Sequence, residues 1–438
     1  MKKIGLLLVI FLGLIAFVYL YEIEGGKKRQ ETKEREESLF QVKQEEVTSI
    51  EIARAGQDPL LLVKVDDKWS IDKPMETVAD KASVDSLVGS VDSARIERTF
   101  EEVGSGAEKY GLKEPRMTLT VQAGELTRVV HVGSKDFTGS NTYVQMAGDT
   151  KVHLTADSLY TTADKDLFQW RDKKVLTLDR DRVRTIEVQR GDEKIRLSKE
   201  GENWALEVPL QEPADKSAVN SLLSSLETTE AQKFVVEETQ DLPQYGLSTP
   251  SVVVRLQEEG DDQWKALELG KKAEGEEDHY LARNPARSAV FTVPKSLLEK
   301  LTQKLWEFRD KDVINVDQDE IDKVIFHRGE VEIQARREDY KWILEKPDDQ
   351  KDKEALAYKF WYPIDDIKFE SIDDSKVGAA SGKADVQIEI LMKDGSVRTF
   401  EFLQQGEQYR ARKVEAERGG SISKESFEKL QFKVEDIV

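Results

Sequence analysis

One short step recurs three times along this chain, a tryptophan followed five residues later by a proline: Trp69 to Pro74 (WSIDKP), Trp204 to Pro209 (WALEVP) and Trp342 to Pro347 (WILEKP). The offsets between copies are 135 and 138 residues, so the chain is built from a repeated unit. Residues 69–115 set against 204–250 without gaps share fourteen of forty-seven positions. Ordinary composition gives roughly three by chance. The shared residues include Ala79-Asp80-Lys81 with Ala214-Asp215-Lys216, and Tyr110-Gly111-Leu112 with Tyr245-Gly246-Leu247.

The register extends upstream. EEVTSIEIAR (Glu45 to Arg54), DRVRTIEVQR (Asp181 to Arg190) and DEIDKVIFHR (Asp319 to Arg328) align as the opening strand, each preceded by an apolar segment (39–42, 175–178 and 313–316). Downstream, WRDKKV (Trp170 to Val175) matches FRDKDV (Phe308 to Val313). The expected joint is therefore a final helix running directly into the next repeat's first strand.

Within a repeat, period-two apolar runs predict short antiparallel strands: Ile50–Ile52, Leu60–Val65, the strand at Trp69, then 117–121, 129–132, 143–146 and 152–154. The proline ends the tryptophan strand because it has no N–H for the ladder. Val84, Leu87, Val88 and Val91 occupy i, i+3, i+4 and i+7, and Val219, Leu222, Leu223 and Leu226 repeat that stripe. Both predict a helix whose one face covers the sheet, with Asp80 or Asp215 at its start. Tyr-Gly-Leu reads as a helix stop with a left-handed glycine. A second helix carries Leu159, Leu167 and Trp170. The third copy departs from the pattern, with Ala379-Ala380-Ser381-Gly382 near the Tyr-Gly-Leu position and Phe360-Trp361-Tyr362-Pro363 where the helix stripe belongs.

The N-terminus is a separate problem. Ile4 to Tyr21 is a mainly apolar run of eighteen residues after Lys2 and Lys3. As a helix it would extend about 27 Å, enough for a bilayer, and it exceeds the usual signal-peptide core. Lys27, Lys28, Arg29, Lys33 and Arg35 outnumber the two leading lysines, which by a plain count keeps the repeats inside. A long following domain translocates largely regardless of that count, so the expected arrangement is a single-pass anchor in the cytoplasmic membrane with extracytoplasmic repeats. The resulting layout is an anchor at 1–21, a charged tether at 22–38, and repeats at 39–174, 175–312 and 313–438. The expected fold class is α+β: three tandem repeats of a mainly antiparallel sheet covered by helices, after one N-terminal transmembrane helix.

Composition narrows the chemistry. A net charge of −20 disfavours nucleic acid and other polyanions as partners. The absence of cysteine removes disulfides, thiolate metal sites and cysteine nucleophiles. His131, His153, His279 and His327 have no counterparts in neighbouring repeats and no metal spacing, and read as solvent-facing strand residues. Carboxylate pairs such as Asp317 with Asp319 and Asp365 with Asp366 are expected among 86 acidic residues and read as solvated faces. No nucleophile-elbow, phosphate-loop or dinucleotide motif occurs, so no catalytic residue, metal or cofactor is assigned. Arg171-Asp172-Lys173 and Arg309-Asp310-Lys311 are read as basic residues meeting a helix dipole. The three tryptophans are read as core. Three adjacent aromatics cannot all face one side of a helix, which makes Phe360, Trp361 and Tyr362 the candidate partner-docking segment.

A lysine-flanked apolar start followed by units carrying W-x-x-x-x-P, A-D-K-x-x-V-x-x-L and Y-G-L-x-x-P resembles the bacterial domain-of-unknown-function family numbered 4340. The resemblance covers nearly the whole chain beyond the tether, strongly in the first two repeats and weakly in the third. Members are typically encoded beside gliding-motility-type ABC transporter subunits. The resemblance thus implies a membrane-anchored accessory or scaffold protein outside the cytoplasmic membrane, with transporter membrane subunits as partners and no catalytic residues. Two other functions fit the same layout: an envelope-polymer hydrolase with carboxylates at repeat junctions, and a glycan- or lipid-binding protein feeding the transporter.

Overall fold

The computed structural model describes residues 37–100, 108–373, 384–416 and 418–438. The expected anchor, nearly all of the tether, and Ala379–Gly382 lie outside them. Among the described residues no helix is long and apolar enough to cross a membrane.

Three nine-stranded antiparallel sheets follow one another. The first contains β1 (Val47–Ala53), β2 (Leu60–Val65), β3 (Lys68–Lys73), β4 (Thr77–Val78), β5 (Arg98–Phe100), β6 (Met117–Ala123), β7 (Leu126–Lys135), β8 (Asn141–Met146) and β9 (Val152–Ala156). The second contains β10 (Val183–Arg190), β11 (Glu193–Glu200), β12 (Asn203–Val208), β13 (Glu212–Pro213), β14 (Lys233–Val236), β15 (Val252–Glu258), β16 (Lys265–Lys272), β17 (His279–Arg283) and β18 (Val290–Pro294). The third contains β19 (Ile321–Arg328), β20 (Val331–Glu338), β21 (Lys341–Lys346), β22 (Glu354–Ala355), β23 (Phe369–Ile372), β24 (Val386–Met392), β25 (Val397–Gln405), β26 (Gln408–Lys413) and β27 (Arg418–Ile422).

Their strand orders are one order written three times: 4-3-2-1-6-7-8-9-5, 13-12-11-10-15-16-17-18-14 and 22-21-20-19-24-25-26-27-23. The copies agree even in their irregularities. The register slips between Leu61 and Leu62, between Arg196 and Leu197, and between Gln334 and Ala335, each time opposite the end of the tryptophan strand. The following peptide bonds, Lys73-Pro74, Val208-Pro209 and Lys346-Pro347, are all cis. The third repeat, weak in sequence, therefore keeps the whole strand plan.

By compactness the described chain divides into two units. The first holds residues through Thr177, Leu226–Pro250 and Leu267–Leu297; the second holds Leu178–Ser225, Ser251–Ala266 and Leu298–Val438.

In the first unit, alternation along β6 buries Met117, Leu119, Val121 and Ala123. Helix α1 (Lys81–Ser93) lays Val84, Leu87, Val88 and Val91 on that core, all buried. Each such side chain contributes about 1.5–3 kcal/mol. Asp80 caps the helix by accepting from Ser83 N at 2.8 Å. The expected second helix is two pieces, α2 (Ser158–Ala163) and α3 (Leu167–Trp170). Asp166 starts the second piece with its own cap, accepting from Gln169 N at 2.7 Å. Tyr-Gly-Leu ends a 3₁₀ turn rather than an α-helix, Pro243–Tyr245 in the second copy. Gly111 and Gly246 are left-handed, at φ +71° and +70°.

In the second unit, α4 (Lys216–Thr228) begins at Asp215, whose carboxylate accepts from Ala218 N at 3.0 Å. Helices α5 (Lys295–Leu301) and α6 (Leu305–Phe308) precede the third sheet. The core beneath that sheet gathers Trp342, Phe326, Phe360, Trp361, Phe402 and Phe432. Here α7 (Trp361–Asp365) is only five residues long where the other copies have thirteen. Packed aromatics supply the volume that a longer aliphatic stripe supplies elsewhere. Helices α8 (Lys424–Glu428) and α9 (Val434–Ile437) close this part of the chain.

Candidate functional site

The two R-D-K segments lie at the joints, and neither belongs to a helix. Arg171 follows α3 in extended backbone, is almost fully buried, and bridges to Ala79. Its Nη1 lies 2.5 Å from Glu237, and its guanidinium sits 3.5 Å from the centre of the Phe234 ring. Asp172 pairs with Arg287 at 2.7 Å. In the second unit Arg309 bridges to Ala214 and meets Glu212, Nε to Oε1 at 2.5 Å. Arg418 approaches the other oxygen of Glu212 at 3.4 Å and donates to the backbone carbonyl of Asp310 at 2.6 Å. The dipole reading is therefore corrected: both helices carry no basic residue in their last turn. The arginines are instead buried ion-pair partners of connectors that run extended from 171 to 179 and from 309 to 317 before each opening strand. A direct passage from helix to strand does not occur.

Beside the second joint, within the second unit, lies a cleft of about 1440 Å³. One wall comes from β12 and β13, with Trp204, Leu206, Glu207 and Glu212; the other comes from the connector and the third sheet, with Asp310, Asp312, Lys368, Arg398, Phe400 and Lys413. Trp204, Leu206 and Phe400 are buried and form an apolar floor, while the charged groups crowd the sides. Lys368 pairs with Asp312 at 2.9 Å, and this hydrogen bond raises the lysine's pKa. Lys413 is half-buried, and desolvation pushes it down to about 8 against the attraction of Asp310 and Asp312; the neighbouring Arg418 adds to the lowering. Burial also lowers the pKa of Arg418. Near the cleft, Asp365 is pushed up to about 6 by burial and by the carboxylates of Asp366 and Asp312.

The carboxylates lining the cleft are mostly committed. Glu207 holds Arg196 at 2.7 Å, Asp310 accepts from Asp312 N at 3.0 Å, and both oxygens of Glu415 lie within 3.0 Å of Thr399 N. Together with Glu212, Asp312 and the capping Asp215, only exposed Glu200 is left over among the described residues. A carboxylate tied in this way is a structural wall.

The residues singled out by sequence are scattered. Of the docking triplet, Phe360 and Trp361 are fully buried; Trp361 stacks on Trp342 with ring centres 5.0 Å apart. Only Tyr362, half exposed, is open to a partner, because the other two face the sheet in place of the missing stripe. Trp204 and Trp342 are core, whereas Trp69 is half-buried at the core's edge. His153 is buried rather than solvent-facing, its Nδ1 3.0 Å from Thr99 Oγ1 across β5 and β9. Asp365 is likewise not a solvated-face residue. Asp317 caps a 3₁₀ turn by accepting from Asp319 N at 3.0 Å. Among the described residues no group of three or more His, Asp or Glu is placed to hold a metal ion.

Lys413, Glu212 and Arg418 were not singled out by sequence. The R-D-K repeat was the available pointer to Glu212, since a buried arginine needs a carboxylate. Nothing in the linear pattern around Lys413 distinguishes it from other lysines on strands.

None of the curated proteins matches this chain. Among solved structures, a DnaN sliding clamp, the DNA polymerase III β subunit from Pseudomonas aeruginosa bound to griselimycin, is similar at 8% identity and a TM-score of 0.14, covering 86% of this chain and 91% of that one. That likeness is too slight to bear on fold or function. A domain of unknown function, DUF4340, matches residues 69–212 and again 204–377, more than half of the chain. With its W-x-x-x-x-P steps inside both matched segments, the chain belongs to the DUF4340 family.

Proposed function

We propose that this protein is a non-enzymatic, membrane-tethered scaffold and binding protein on the extracytoplasmic side, working with an ABC-type transporter complex. The cleft in the second unit is the observation that carries the reading. It is large, has an apolar floor, and is walled by carboxylates whose oxygens are engaged by internal partners. Such a cavity suits holding a ligand or partner segment. The apolar run at Ile4 to Tyr21 supports the tether, and abutting repeats with buried arginine pairs support a scaffold. Affinity purification of the full chain from membranes in mild detergent is the test. Recovery of transporter membrane subunits is expected, and repeated recovery of the protein alone counts against the reading.

One observation favours a second reading, the envelope-polymer hydrolase: the raised carboxyl of Asp365 facing Asp312 near the cleft. Release of soluble fragments from envelope polymers, abolished in Asp365→Asn, would support it over the scaffold. Unchanged polymer after prolonged incubation with the wild-type chain excludes it.

A further inference from the structure

The charges of the cleft do not cancel once internal pairs are set aside. Arg196 is held by Glu187 and Glu207, and Lys368 by Asp312. Lys413, Arg398 and Lys216 also line the cleft, and among the described residues none of their side chains makes a hydrogen bond or ion pair. The lining carboxylates are engaged except exposed Glu200. Hydrogen bonding leaves Asp215, Asp310 and Glu415 charged, so the lining keeps both signs, and Lys413, Arg398 and Lys216 are its cations without an ion-pair partner.

Sheet register places these cations. Lys413 on β26 lies directly opposite Phe400 on β25 and opposite Arg418 on β27. Directly opposed residues share a face, with Cβ atoms about 4.5–5.5 Å apart. Arg398, two residues before Phe400, is on the same face. Two cations are thus adjacent across β26 and β27. Arg418 is satisfied by Glu212 and the Asp310 carbonyl, while Lys413 is left half-buried without a hydrogen bond or ion pair of its own. Asp310 and Asp312 attract the desolvated ammonium but neither pairs with it directly, and an anion delivered to it adds that missing contact.

We infer that the cleft binds an anionic group, phosphate or carboxylate, on a small ligand, with Lys413 as the principal counterion, Arg398 beside it, and the ligand's uncharged part on Phe400 and Trp204. The size of the ligand follows from the electrostatics. A net charge of −20 repels a long polyanion, but beyond about 8–10 Å that field is screened, so a single anionic group is governed by the charges nearest to it, Lys413 and Arg398 among them. The inference rests on the cleft being a binding site, and it is independent of which complex the protein joins.

The test is calorimetric titration of the full chain in mild detergent with inorganic phosphate and, separately, acetate. Saturable binding of at least one is expected, and the stronger of the two identifies the group. Lys413→Met should weaken it about tenfold or more, roughly 1.4 kcal/mol, and Lys413→Arg should restore most of it. Unfolding curves of both variants establish that the fold is kept. Absence of saturable binding for both anions, or equal affinity in a folded Lys413→Met protein, overturns the inference. Failure to recover transporter subunits would bear on the proposed function and leave this titration untouched.

Discussion

Arg309 places Nε 2.5 Å from Oε1 of Glu212, with both side chains about nine-tenths buried, and Arg418 stands 3.4 Å from the second oxygen of the same carboxylate. One carboxylate is therefore shared by two buried cations. Replacing Glu212 by Ala removes the shared carboxylate from both, whereas replacing Arg309 leaves Glu212 with Arg418. Loss of one partner of a buried pair costs about 3–5 kcal/mol. Glu212→Ala is expected at or above the top of that range and Arg309→Ala nearer the bottom, read by urea unfolding. Equal or negligible effects would show that the pair is solvated.

The Tyr-Gly-Leu turns depend on a second glycine that the motif does not contain. A Cβ on Gly133 would lie 2.2 Å from the carbonyl oxygen of Tyr110, and one on Gly270 2.2 Å from that of Tyr245. Because backbone must shift to accept it, Gly133→Ala and Gly270→Ala should each destabilise by about 1–3 kcal/mol. Gly89, with open space around its Cβ and no left-handed backbone, is the position to compare for steric cost. Thermal unfolding of Gly133→Ala and Gly270→Ala indistinguishable from wild type would refute the close approach.

Phe360, Trp361 and Tyr362 should separate sharply in mutagenesis. Trp361→Ala removes a fully buried ring stacked on Trp342 and should cost about 3–5 kcal/mol. Tyr362→Ala at the surface should stay within about 0.5 kcal/mol. Partner recovery in the folded Tyr362→Ala variant then reports on docking without the complication of unfolding.

Asp365 makes a prediction about pH. Its carboxyl is raised from 3.8 to about 6, so between those values the folded state binds more protons than the unfolded one. Stability attributable to this group is therefore greatest below about pH 4 and falls as pH rises to 6. Asp365→Asn should remove that fall: stability equal to wild type near pH 4 and higher above pH 6. Denaturant midpoints collected from pH 4 to 7 check it, and parallel profiles for the two proteins would contradict the assignment.

Much of the fold was legible because periodicity and packing have the same cause. The stripes at Val84, Leu87, Val88, Val91 and at Val219, Leu222, Leu223, Leu226 are buried as their spacing required, and β6 to β9 lie where alternation put them. Asp80 and Asp215 cap their helices through bonds spanning three residues, a local interaction that local sequence encodes. The misreadings involve partners distant in the chain. Arg171 finds Glu237, His153 finds Thr99, and Phe360 and Trp361 find Trp342, none of which adjacent residues announce.

The candidate site shows the same division. By itself the sequence determined that a module recurs three times, that each copy alternates strands with a covering helix, and that the third copy differs at Phe360-Trp361-Tyr362. These follow from side-chain periods of two and 3.6 and from the proline that halts a ladder. Only the tertiary structure decided that the third copy keeps the full strand order, that Arg309 and Arg418 share Glu212, and that Lys413 is left facing a cleft between Phe400 and Arg418. The reason is physical: burial and charge pairing are set by residues far apart in the chain, as Glu212 and Arg418 are, brought together by strand register, and no short window along the chain contains both members.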